Sequence, residues 1–308
     1  MIARVLLRFI LSLLLASVVI FLLLRLIPGD PARVALGVTA TDEAVAALSR
    51  QLGTDRPLLI QYVDWVRGLL TGDFGISLAS RQDITPLIVD RAQVSLILCG
   101  LAMALSLVIA LPLGMWAARR DDRVISALAQ VGIAVPSFLT GILLVTVFAV
   151  HLGWVPANGW IPPGTDFPGF LQRIILPVIA LTLVQAAILT RYVRSAVLDV
   201  LDREYIRTAR STGASVREAL WRHGLRNASL PVLTVAGLQL TSLIVGAVVI
   251  ERVFLIPGLG SMLLDSVARR DLTAVQTIVM LLVVFTLTVN LVVDVTYRLI
   301  DPRLRRSA

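Results

Sequence analysis

QVSLILCGLAMALSLVIALPLGMWAA, residues 93–118, decides the fold class: it runs for 26 residues without a charge. A helix rises about 1.5 Å per residue and a bilayer core is about 30 Å thick, so this stretch is long enough to cross a membrane. Five more uncharged runs lie at 9–24, 124–151, 174–190, 227–250 and 272–293. The first reaches Ile27 if Arg25 extends its guanidinium to the headgroups, and the fourth continues through Arg191 toward Leu198. The expected fold is all-α: a polytopic membrane protein with six transmembrane helices.

Composition points the same way. Hydrophobic residues make up 57% of the 308 and charged residues 16%, with a mean hydropathy of +0.88. A soluble domain is about half apolar and about a quarter charged. Intrinsic disorder is excluded on the same ground. A single cysteine, Cys99, excludes a disulfide scaffold, and with only His151 and His223 beside it no ordinary His/Cys zinc site is expected. All 28 basic residues are arginine. Without lysine there is no P-loop to cradle a nucleotide and no Schiff-base chemistry. If nucleotide energy drives this protein, another chain supplies the ATPase.

Arginine placement gives the orientation. The N-terminus, the 117–123 and 191–230 connections and the C-terminal tail hold 17 of the 28 arginines. The positive-inside rule makes that side cytoplasmic, with both termini inside. Residues 4–31 carry Arg4, Arg8 and an apolar stretch but no A-x-A-like cleavage site, so the first helix is read as a retained span.

Residues 28–93 form an extracytoplasmic cap loop. Asp30-Pro31 reads as a helix N-cap followed by proline at the first helical position. Short helices are expected over 41–52 and 59–70, the second with Tyr62, Trp65 and Val66 on an apolar face.

Residues 199–230 carry too many charges to span, among them Asp199, Glu204, Arg207, Arg210 and Arg217. They read as helix, break, helix. Gly213 suits the left-handed turn. Ser215 caps the next helix, with Glu218 three residues on completing a capping box. Val216, Ala219, Leu220 and His223 then share one face. On spacing alone, that face rests on anionic lipid or docks a protein.

At this segment the chain resembles the EAA loop of ABC-importer permeases, most narrowly the dipeptide/oligopeptide/nickel permease family. The resemblance rests on Tyr205-Ile206-Arg207-Thr208-Ala209-Arg210-Ser211-Thr212-Gly213-Ala214, then Arg222-His223-Gly224-Leu225-Arg226-Asn227 and Leu230-Pro231. Arg207 stands where other branches carry glutamate, a mark of the peptide-type branch. Further matches follow in order along the chain: Leu26-Ile27-Pro28-Gly29-Asp30-Pro31, Gly72-Asp73-Phe74-Gly75, Pro136-Ser137-Phe138, Glu251-Arg252-Val253-Phe254, Pro257-Gly258-Leu259-Gly260 and Asp301-Pro302-Arg303.

The resemblance implies one transmembrane domain over 1–308, forming half of an inner-membrane translocation pathway, most readily for di- or oligopeptides. It implies a second homologous permease subunit, two ABC ATPase subunits that hold ATP and Mg, and an extracytoplasmic substrate-binding protein. The chain itself would need no cofactor, no catalytic residue and no nucleic acid. Glu204, Tyr205, Arg207, Thr208, Ala209, Gly213, Val216, Ala219, Leu220 and His223 would couple to the ATPase, with Val216, Ala219 and Leu220 as the docking face. Asp30, Glu251, Pro257, Gly258 and Gly260 would contact the binding protein or form an external gate; a plain re-entrant turn is the alternative for the last four.

Polar residues inside spans are candidates for the pathway lining: Gln185, Gln239, Thr241, Ser242 and Asn290. Each can equally hydrogen-bond a neighbouring helix. Two rival functions fare worse. An intramembrane zinc protease wants H-E-x-x-H, which is absent. An ion-coupled transporter wants ionisable groups near the midplane, and the centres of all six runs are uncharged.

Overall fold

The computed structural model describes residues 2–26, 31–37, 40–120 and 123–300. Among them the chain is helical, and the nearest approach to a strand is one antiparallel bridge between Ile76 and Asp83. It divides into two compact units, one built from Ser95–Pro257 and the segment after Val289, the other from Ile2–Val94 and Gly258–Thr288. The long helices α5 (Thr85–Arg120) and α13 (Leu272–Ile300) give a segment to each.

In the first unit α8 (Phe167–Leu201) is the central element. Asp166 caps it, its side chain accepting from Gly169 N at 3.1 Å. Against α8 pack α6 (Arg123–Ala134), α7 (Ser137–Leu144) and α11 (Leu225–Val253). The core of this unit, to which α5 also contributes, is rich in small residues, including Ala102, Ala110, Ala180, Ala187, Ala196 and Ala247. Lipid offers no hydrophobic drive for helices to associate, so close approach through small side chains holds them. Polar cross-links add to this: Thr182 Oγ1 donates to Ala102 O at 3.3 Å, joining α8 to α5.

The expected span over 124–151 is not one helix. It breaks at Pro136, whose backbone is extended (φ −60°, ψ 141°), and α7 starts afresh at Ser137. Proline has no N–H for the helix ladder and pushes its predecessor out of the helical region. From Ser137 the helix runs to His151, its last part (Val145–His151) widened to a π turn. That leaves, among the described residues, five helices long and apolar enough to cross a membrane, Arg4–Arg25, Thr85–Arg119, Phe167–Leu201, Val216–Val253 and Leu272–Leu299, plus the shorter Ser137–His151.

The second unit opens with α1 (Ile2–Arg25), which is mostly exposed. It packs on α4 (Leu58–Thr71) through aromatic rings. Phe21 meets Tyr62 edge-on at 5.4 Å and stacks on Trp65 at 6.2 Å, while Ser17 Oγ and Tyr62 OH share a 2.8 Å hydrogen bond. Two shorter helices, α2 (Pro31–Leu36) and α3 (Asp42–Leu52), bury Ala32, Val45 and Leu48 between them. The expected helices at 41–52 and 59–70 are therefore present, with Thr41 capping α3. Farther on, α12 (Leu259–Ala268) packs with Ile84, Ile88, Ala274 and Ile278. Buried Asp271 ties this unit together by accepting from Ser77 Oγ, Leu78 N and Ala274 N.

Candidate coupling site

The 199–230 segment folds as helix, turn, helix. The first helix is α9 (Glu204–Ser211). Gly213 ends it with φ +97°. Gly213 N donates to Arg210 O and Ala214 N to Ala209 O, each at 3.1 Å, the paired bonds of a left-handed helix stop. Ser215 caps α10 (Val216–Ala219), its hydroxyl accepting from Glu218 N at 3.2 Å. The other half of the expected capping box does not form, because the Glu218 carboxylate turns to Arg222 at 3.2 Å.

A π turn, Leu220–Gly224, then joins α10 to α11 without a break. The second coupling helix and the fifth span thus form one continuous helix, Val216–Val253. Gly224 makes room at the π turn. A Cβ there would lie 2.7 Å from Leu220 Cδ1 and 2.9 Å from Val200 Cγ1.

The apolar face does not point where the sequence suggests. Ala219 and Leu220 are buried inside their own chain with Ile206, Val193, Val197 and Val200, and Val216 is half-buried. Their role as an ATPase-docking surface is therefore corrected. Burying them holds the helix pair onto α8, since two short helices cannot stand in water on propensity alone. Tyr205 OH accepts from Asn227 Nδ2 at 2.9 Å and pins the start of α9 to the start of α11.

What remains outside is Glu204, Tyr205, Arg207, Thr208, Gly213 and His223, with Ala209 half-buried. Trp221 joins them, 57% exposed, a residue the sequence motifs do not single out. Its signal lies in the spacing: Arg217 and Trp221 are four apart and so lie together on the helix, away from the buried pair Ala219 and Leu220. The exposed face is therefore basic and aromatic.

The other candidate residues lie on α8, α11 and α13 and differ in exposure. Gln185 is buried within α8, and its Oε1 has no hydrogen-bond partner. On α11, Gln239 and Thr241 are half-buried and Ser242 is exposed; Thr241 Oγ1 donates to Gly237 O at 3.3 Å. Asn290 is exposed on α13.

At the other end of α11, Glu251 is 1% exposed and accepts from Ser95 Oγ at 2.6 Å. Gly258 and Gly260 are also buried, and Pro257 is half-buried. In this chain Glu251, Gly258 and Gly260 offer no surface to a docking protein, so direct contact through them is corrected to an internal supporting role. The residues that do project are Arg252 and Leu255, the latter 64% exposed with a left-handed φ of 51°. Asp30 lies outside the described residues.

Residues 84–306 match the family described as binding-protein-dependent transport system inner membrane component, and residues 1–99 match the N-terminal region of such membrane components. A probable peptide ABC transporter permease protein of Sinorhizobium fredii is 37% identical over 293 residues, covering 94% of each chain. A glutathione transport system permease protein of Salmonella choleraesuis is 39% identical over 301 residues, 96% of this chain and 95% of that one. Two solved structures share the fold. A chain of an amino acid ABC transporter crystallised with histidines covers 70% of this chain at TM-score 0.54 and 20% identity, with 94% of its own length matched. A chain of an inward-facing methionine ABC transporter covers 71% at TM-score 0.57 and 18% identity, with 98% of its length matched. The chain belongs to the binding-protein-dependent transport system inner membrane component family and is a multi-pass permease of the inner membrane.

Proposed function

We infer that this chain is one permease subunit of a peptide-type, ATP-driven importer, with residues 1–308 acting as one transmembrane domain and no catalytic site of its own. Both termini lie in the cytoplasm, on the arginine-rich side. The partners are a second homologous permease, two ATPase subunits that bind ATP and Mg, and an extracytoplasmic binding protein. The substrate class is di- or oligopeptide. Relatives named for peptide and for glutathione transport support this, because both cargoes present amides and carboxylates.

One observation carries the reading. The α9–α10 pair is fastened to α8 and α11 from within, and its outer face of Tyr205, Arg207, Arg217 and Trp221 is left exposed. An exposed basic and aromatic face on a rigid pair suits a mobile protein partner, with arginine and aromatic side chains as anchors. Because α10 continues into α11, a displacement imposed on the pair is passed directly to a membrane helix.

The test is co-purification from native membranes in mild detergent. Wild type should bring down ATPase subunits and a second permease; a Trp221→Ala/Arg217→Ala double variant should reach the membrane at the same level and lose most of the ATPase. Recovery of equal ATPase by both, or of none by wild type, sinks the reading.

A further inference from the structure

In the second unit Arg56 pairs with Asp64 at 3.2 Å and Arg33 with Asp42 at 2.5 Å. Arg25 is held differently. Its guanidinium lies 5.1 Å from the centroid of the Phe21 ring, and among the described residues no carboxylate pairs with it. It is the last residue of Arg4–Arg25, a 22-residue apolar span that is only 17% buried. Most of that helix is therefore left uncovered by its own chain, and a long cationic side chain at the end of such a span sits at headgroup level.

Beside Arg25 opens a cavity of about 400 Å3, whose walls include Thr54, Gln61, Trp65, Thr273 and Gln276. Three polar atoms on its wall residues are buried without a hydrogen-bond partner: Arg25 Nε, Trp65 Nε1 and Gln61 Oε1. Orphaned buried polar atoms are rare in folded proteins and ask for an explanation. Gln61 cannot rotate to relieve its own, because its amide nitrogen donates to Thr54 O at 3.0 Å and to Arg56 O at 2.6 Å.

The chemistry of the set is selective. Arginine and the indole N–H are donors only, so a group that meets the Arg25 guanidinium from the cavity is an acceptor, and an arginine fork matches a phosphate. Gln61 Oε1 asks for a donor, and Asp64 and Asp73 also line the cavity. A phosphate joined to an amine or hydroxyl meets both demands. We propose that the cavity is a binding site for a phospholipid headgroup, its phosphate on Arg25 and its amine or hydroxyl toward Gln61.

The full chain, purified in mild detergent, would be examined by native mass spectrometry with phosphatidylethanolamine added back, for wild type, Arg25→Gln, Arg25→Lys and Arg33→Gln. Wild type should retain one phospholipid through a detergent wash. Arg25→Gln should lower its retention about tenfold, the worth of a charge-assisted hydrogen bond. Arg25→Lys, which keeps the charge and loses the fork, should fall between them; Arg33→Gln should match wild type. Parallel samples carry inorganic phosphate or a dipeptide as competitor. Displacement of the lipid by phosphate alone, or by the dipeptide, overturns the headgroup assignment. Equal retention by wild type and Arg25→Gln overturns it too. If Arg25→Gln fails to accumulate in the membrane, equal retention by Arg25→Lys and wild type overturns it instead.

Discussion

The turn after α9 and the turn after α11 are closed by the same pair of backbone bonds. At the first, Gly213 N reaches Arg210 O and Ala214 N reaches Ala209 O; at the second, Leu255 N reaches Arg252 O at 3.4 Å and Ile256 N reaches Glu251 O at 2.8 Å. Both place one residue in the left-handed region, at φ +97° and +51°. The residues differ. Glycine meets no penalty there, whereas an L side chain costs about 1–2 kcal/mol. Leu255 is 64% exposed, so burial does not offset the strain. The turn after α9 carries the residue its geometry prefers. The turn after α11 keeps an apolar side chain exposed against its geometry, and such strain collects at places with a task beyond folding.

Substitutions sharpen this contrast, taken here from the largest expected change in stability to the smallest. Gly213→Pro should do most harm. Proline is fixed near φ −65° and cannot adopt the observed turn, so α9 should detach at a cost of about 3 kcal/mol or more. Thermal unfolding in nanodiscs and ATPase co-purification would both fall; if neither moves, the turn is not what holds the pair. Ile206→Val removes one methyl group from the core under the pair and should cost about 1 kcal/mol. A loss of ATPase retention as large as that from the Trp221→Ala/Arg217→Ala variant would contradict the division between inner and outer faces. Leu255→Gly should run the other way, stabilising by about 0.5–1 kcal/mol once the extra freedom of glycine in the unfolded chain is counted. Binding-protein-stimulated ATP hydrolysis should fall in the same variant. A gain in stability with unchanged stimulation would make Leu255 mere strain.

A third helix end gives the smallest effect. Thr85 N donates to Asp83 Oδ1 at 2.8 Å, and this bond, with one from the Thr85 hydroxyl, holds the exposed Asp83 carboxyl below its ordinary range. A depressed folded value means the contribution is full above the unfolded pKa, near pH 4, and is lost as pH falls through the folded value. Wild type should therefore lose a little more stability than Asp83→Asn below about pH 4. Parallel pH profiles would remove Asp83 from the forces that hold that helix end.

The two turns were not equally legible in the sequence. Gly213 and Ser215 follow from local rules, because a stop glycine and a cap serine act within a few residues of themselves. Leu255 has no such signature: its conformation is set by the helix before it and the buried Ile256 after it. The buried face of Val216, Ala219 and Leu220 was readable as apolar, but periodicity says only that a face is buried and not which chain buries it. Pro136 is readable as a kink, as are Pro112 and Pro177, but not as the one of the three that breaks its helix, because absence of charge over 124–151 marks membrane depth rather than helical continuity. Helix ends were underestimated for the converse reason. Charged Asp90, Arg91 and Arg173 bound uncharged runs, yet α5 and α8 start before them, at Thr85 and Phe167.

The two contrasted turns stand at opposite ends of one rod. Val216–Val253 is 38 residues long, or about 57 Å at 1.5 Å per residue. Tilting a rod of that length by about 5° about one end shifts the other by about 5 Å, roughly one helical turn of travel. Moving as one body despite its π turn and Pro231, such a helix would link a displacement at Leu255 to one at Gly213 in either direction. On the proposed function, that would let the ATPase end sense the far end without any second messenger between them.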